Sequence, residues 1–125
     1  MNLQISKENY HWTDHVRQKM RQYGLSESRI KRVLRFPKRV EIGVAEDTVA
    51  GMQPAGSSKH PYEIWVMWTM GRKTQGANSK SPKTKFSFGN TKITIISAWR
   101  YPGVSPVHEP PPIPEEVWAF LVKRN

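Results

Sequence analysis

Residues 17–39 read RQKMRQYGLSESRIKRVLRFPKR, and the hydrophobic periods within and beside them decide how the chain folds. Met20 and Tyr23 continue a stripe begun by Trp12 and Val16, at the spacing of a helix turned about 100° per residue. Thr13 stands where an N-cap belongs and Gly24 where a helix stops. Ser26 caps a second helix, expected to run to Phe36, where Pro37 ends it. In it Ile30, Val33 and Leu34 fall together, and Arg29, Lys31, Arg32 and Arg35 spread over the opposite face. The link Gly24-Leu25-Ser26 is short enough to make the helices neighbours, so 12–37 is expected to be a helical hairpin behind an N-terminal arm, 1–11.

After Lys38 the period drops to two. Val40, Ile42 and Val44 alternate with polar residues, which predicts a half-buried strand. YEIWVMWTM (62–70) and KITIISAW (92–99) are apolar on both faces and predict central strands. Gly89-Asn90 marks a two-residue turn, so 84–99 is expected to be a hairpin. The expectation is an α+β domain over 1–125: two N-terminal helices packed on a small antiparallel sheet of about four strands, filling 38–101. Loops are expected at 47–61, rich in glycine, proline and serine, and at 71–83, polar and basic. Residues 102–125 read as a proline-rich connector leading to a short helix over 114–123. Glu115 and Glu116 fall in its first turn, and Val117, Trp118, Phe120 and Leu121 are available to dock.

Charge narrows the function. Of a net +10, the quoted segment holds Arg17, Lys19, Arg21, Arg29, Lys31, Arg32, Arg35, Lys38 and Arg39 against the single acid Glu27. A merely solvated helix mixes acids with bases and gains pairing at i,i+4; this one does not. Such a surface is the footprint of polyanion binding. With no cysteine, disulfides and thiolate metal sites are excluded. No stretch is apolar enough to span a bilayer or to form a secretory signal, so a cytoplasmic location is expected.

Phosphate-binding glycine loops, metalloprotease helices and nucleophile elbows are missing, and the acids are scattered. No metal and no cofactor is expected. Two constellations remain. His15 and Lys19, at i and i+4, lie on the border of the first helix's apolar stripe, placed to reach across the sheet. Trp99-Arg100-Tyr101 closes the last strand with a stacking face, a guanidinium fork and a hydroxyl. Together these are the residue types that metal-free RNA cleavage needs: a base, cations to stabilise the phosphorane, and an acid for the leaving oxygen.

The block WTDHVRQKMRQYGLSESRIKRVLRFP (12–37) is similar to the opening of the domain of unknown function 4258 family, which runs T-x-H-A-x-x-R-M-x-x-R-G-I-S into a helix ending in N-P. The block KITIISAWRY (92–101) resembles the final strand of BrnT-like ribonuclease toxins, and both groups resemble the wider RelE-like class. The two blocks span 36 of 125 residues. Val16, Lys19 and Tyr23 stand where the family carries alanine and two arginines, and Trp99 is inserted before Arg100. The resemblance implies a metal-independent endoribonuclease toxin, acting on RNA and held by an acidic antitoxin. His15 would be general base or acid, Lys19 and Arg100 phosphate stabilisers and Tyr101 an auxiliary donor. Arg17, Arg21, Arg29, Lys31, Arg32, Arg35, Lys38, Arg39 and Trp99 would form the nucleic-acid-binding surface. Two other classes fit the same residues: a non-enzymatic nucleic-acid-binding domain, and a basic protein-interaction module.

Overall fold

A computed structural model describes residues 9–42, 45, 47–70 and 92–124. In chain order they form β1 (Asn9–Trp12), α1 (Asp14–Tyr23), α2 (Glu27–Arg35), β2 (Arg39–Ile42), β3 (Val49–Gly56), β4 (Pro61–Met70), β5 (Lys92–Pro102) and α3 (Glu115–Arg124). The helix signals in the sequence act as expected. The Thr13 and Ser26 hydroxyls accept from the amides of Val16 and Arg29, and Gly24 closes α1 in the left-handed region at φ 69°.

The protein is α+β, with a sheet that is larger and less uniform than expected. It has five strands in the order β1-β5-β4-β3-β2. β2 to β5 form an antiparallel meander, and β1 joins β5 in parallel, Asn9 opposite Lys92 through Trp12 opposite Ile95. Residues 9–12 are thus strand, where an arm and the start of the helical stripe were expected. Trp12 sits four residues before Val16, a helical spacing, yet it is held by its strand neighbour. Thr13 then makes the corner, bonding through its hydroxyl to the carbonyls of Ile95 and Ile96 while it caps α1.

Most of the expected loop 47–61 is also strand. Its glycine and proline suit sheet positions for specific reasons. Gly51 lies opposite Val66, and a Cβ there would stand 2.9 Å from the ring of Trp68. Pro54 lies beyond Met52, the last β3 residue that β2 pairs, so that side of β3 is a sheet edge where proline is tolerated. Val44, the loop 71–83 and the first arm of the hairpin 84–99 lie outside the described residues. β4 and β5 are antiparallel neighbours, with a bulge at Met67/Trp68.

Both faces of the sheet are covered. On one, α1 lies over β5 and α2 over β4 and β3, burying Val16, Met20, Ile30 and Val33 on Ile64, Val66, Trp68, Ile95 and Ala98. On the other, α3 and the connector cover Ala50, Met52, Trp65, Met67, Ile96 and Trp99 with Val117 and Leu121. That second layer is why β4 and β5 are apolar on both faces. Of the residues expected to dock from α3, Trp118 remains largely exposed. Among the described residues no helix is long and apolar enough to cross a membrane.

Candidate functional site

Successive residues of a strand face opposite sides of its sheet, and β5 sorts the expected catalytic set accordingly. Arg100 is opposite Ile64 and belongs to the α1/α2 face; Trp99 and Tyr101, opposite Trp65 and Glu63, belong to the α3 face. Trp99 is fully buried and stacked on Trp65, ring planes 7° apart. It presents no face to a base, so the stacking role expected of it is corrected. Tyr101 is half-buried against the α3-side cluster.

His15 and Lys19 share a seam. Among the described residues no strand pairs with the outer side of β5 beyond Ile95, and α1, packed on β5, reaches α3 with its border residues. His15 Nε2 lies 3.0 Å from Ser97 Oγ, and its ring stacks on Phe120 with centroids 3.9 Å apart. Burial, helped by the charge of Lys19 and opposed by Glu116, holds the His15 pKa below its usual 6.5. Lys19, 6% exposed, donates to Gln22 Oε1 at 2.8 Å and to Glu116 Oε2 at 3.0 Å. Tyr23 donates to the same carboxylate oxygen at 3.3 Å. The Lys19 hydrogen bond, more than any other influence, holds Glu116 below the usual carboxylate range. Burial, with Glu116 beside it, raises Tyr23. Lys19 is therefore committed to a protein carboxylate, and the seam is closed by α3.

The other face gathers cations that lack such partners. The Arg100 guanidinium lies over the Tyr62 ring, 4.8 Å from its centroid, beside the α1–α2 turn at Gly24. Its Nε is buried without a hydrogen-bond partner among the described residues. Arg29 donates to Gln53 Oε1 at 2.5 Å, and Gln53 in turn donates to the carbonyls of Arg32 and Phe36, pinning the end of α2 to β3. Burial lowers the Arg29 pKa, and the nearby charges of Arg32 and Arg100 lower it further, which places the three guanidinium groups in one patch. Among the described residues the ion pairs are Arg17–Glu27, Lys19–Glu116 and Arg39–Glu41, and none neutralises this patch.

The remaining cations divide by environment. Arg17 is drawn to Glu27 and the face of Trp12, and Lys31 lies over Tyr10. Arg21, Arg32, Arg35 and Lys38 are exposed. Arg39 points to the α3 face, over Trp65. It bonds Glu41 at 2.7 Å, Ser105 Oγ at 3.0 Å and the Glu109 carbonyl at 2.7 Å. It staples the connector to the sheet, so its expected place on the nucleic-acid surface is corrected. The same staple includes buried Glu63, which accepts from Trp65 Nε1 and from the amide and hydroxyl of Ser105.

Sequence reasoning gave no site role to Tyr62, Gln53, Ser97, Phe120 or Glu116, although it placed Glu116 and Phe120 on a helix expected to dock. Tyr62 and Gln53 owe their places to the β3–β4–β5 register, Ser97 to the packing of α1 on β5, and Glu116 and Phe120 to where α3 docks; none of these pairings leaves a local signal. Among the described residues, no three histidine, aspartate or glutamate side chains are grouped to hold a metal ion. The chain matches no family model, no curated protein and no solved structure.

Proposed function

We propose that this chain is an RNA-binding protein of the RelE/BrnT-like toxin class, which engages the phosphate backbone through Arg29, Arg32 and Arg100 beside Tyr62. One observation carries the reading: Arg100 lies over Tyr62 with its Nε unpartnered, near enough with Arg32 to depress the Arg29 pKa, and among the described residues no carboxylate pairs with any of the three. Like charges held together by a fold are stabilised by an anion. Guanidinium forks suit phosphate oxygens in particular. Arg21, Arg35 and Lys38 extend the positive field and would orient the strand without reading its sequence. RNA is chosen over DNA on the resemblance of the two sequence blocks.

A second reading, metal-independent cleavage, is favoured by the Tyr62 phenol, which lies within electrostatic reach of Arg29 in the same patch. It supplies a proton-carrying group beside the phosphate stabilisers, which His15, turned to Ser97 and Phe120 at the α3 seam, does not. In this form the chemistry moves from the seam to the arginine patch.

Both are tested with a labelled single-stranded RNA, and with DNA of the same sequence, in excess chelator. Binding is expected to weaken roughly tenfold or more in an Arg32→Ala, Arg100→Ala double variant and to stay near wild type in Lys59→Ala, which removes an exposed cation of the β3–β4 turn. Equal binding by the double variant and the parent would reject the patch. If strands are cut, cutting is expected to stop in Tyr62→Phe and to survive in His15→Ala. The reverse pattern would return the chemistry to the seam.

A further inference from the structure

The helical layer stops short of the β2 edge of the sheet. α1 and α2 cover β5, β4 and β3, and the sheet continues to β2. Val40 lies opposite Gly51, whose missing Cβ would point at Trp68 of the helix-side core, so Val40 and Ile42 project to the helix side. Among the described residues no helix covers them. Val40 is 46% exposed and Ile42 81%, and Phe36, just before the strand, is 69% exposed. The three form an apolar ledge beside the end of α2.

β2 is also the last strand in the order, so among the described residues its outer backbone groups have no strand partner. Proteins usually blunt such an edge with a bulge, a proline or outward charges. Here the β2–β3 pairing is regular over all four residues, Pro37 lies before the strand, and the strand's charges, Arg39 and Glu41, pair with each other on the opposite face. An open edge flanked by exposed apolar side chains of alternate residues is the arrangement that accepts an added strand.

Charge selects the occupant. Arg35 and Lys38 are exposed beside the ledge and form no ion pair among the described residues. A second copy of the chain, pairing β2 with β2, would bring these cations together between molecules of net +10 each. We propose that β2 and the Phe36–Val40–Ile42 ledge receive an extended segment of another protein, which pairs as a sixth strand, sets apolar residues at alternate positions on the ledge and brings an acidic end to Arg35 and Lys38. The site is separate from the arginine patch and does not depend on RNA binding.

The probes are a labelled ten-residue peptide alternating valine and threonine and flanked at each end by two glutamates, its counterpart flanked by lysines, and the glutamate peptide with a central proline. Fluorescence anisotropy with the full chain is expected to show saturable binding of the first, at least tenfold weaker binding of the other two, and tenfold loss in Ile42→Asp. Because Ile42 is exposed, that variant is expected to keep the parent's melting temperature. Hydrogen exchange should slow at β2 amides when the peptide is bound, and light scattering should report a monomer without it. Absence of saturable binding overturns the proposal. Equal binding of the proline peptide would mean charge capture without strand pairing, and a dimer lost in Ile42→Asp would make the edge a self-interface; either overturns it. Displacement of the peptide by unlabelled RNA would place it on the arginine patch and also overturn it, whatever the outcome for RNA itself.

Discussion

Lys19 shows how burial changes the meaning of a charged residue. In the sequence it is one cation of nine in a basic segment; in the fold it is enclosed, with both Gln22 and Glu116 as acceptors. Its carboxylate partner is nearly half exposed, so the pair is worth far less than a fully buried one. Lys19→Met, which keeps the stem and removes the charge, is expected to cost about 1 kcal/mol in urea denaturation. It should leave RNA affinity near that of the parent. A large loss of affinity with unchanged stability would mean that Lys19 contacts the ligand. His15 adds a pH dependence of known sign. Its folded pKa lies below 6.5, so on acidification the unfolded chain takes up the proton first, and stability falls as pH drops from about 6.5 through the folded pKa. His15→Asn is expected to flatten the decline in melting temperature between pH 7 and pH 5, and an unchanged slope would contradict it.

At the scale of elements, the strands carry residues whose suitability depends on their neighbours. Gly51 of β3 is there because Trp68 of β4 fills the space above it. Gly51→Ala should push the Trp68 ring or the backbone aside, at about 1–3 kcal/mol by denaturant unfolding. A neutral result would show that the ring moves freely. The caps of α1 and α2 were legible because capping is local: a hydroxyl, an amide three residues on, and a terminal glycine. β1 was not, because four residues of weak alternation become a strand only when β5 offers an edge in parallel register. For β3, the sequence shows glycine and proline but not the tryptophan and the sheet edge that accommodate them. The separation of Arg100 from Trp99 and Tyr101 followed from strand period alone, since three consecutive strand residues cannot converge on one ligand.

For the whole molecule, net charge and its placement give different predictions. The net +10 guarantees non-specific attraction to RNA that salt weakens. In the proposed RNA-binding role, the patch would set how many phosphates are held. Three contacts on a single strand predict a slope of about −2 in log affinity against log salt, and the Arg32→Ala, Arg100→Ala variant should lose about 1.4 of it. A variant with the parent's slope would assign the binding to other cations.

The sequence by itself determined the α+β class, the two capped helices, the two central strands, the terminal helix and the basic character of the 17–39 segment. These rest on local spacing and composition, which the chain carries wherever it folds. Tertiary structure decided which cations remain available. Strand register and bulge put Arg100 with Arg29 and Arg32, and Trp99 into the core. The docking of α3 took Lys19 out of the basic surface, and the connector took Arg39. Charge is a property of a side chain, but its availability depends on which carboxylates, carbonyls and rings reach it, and those come from segments far apart in sequence.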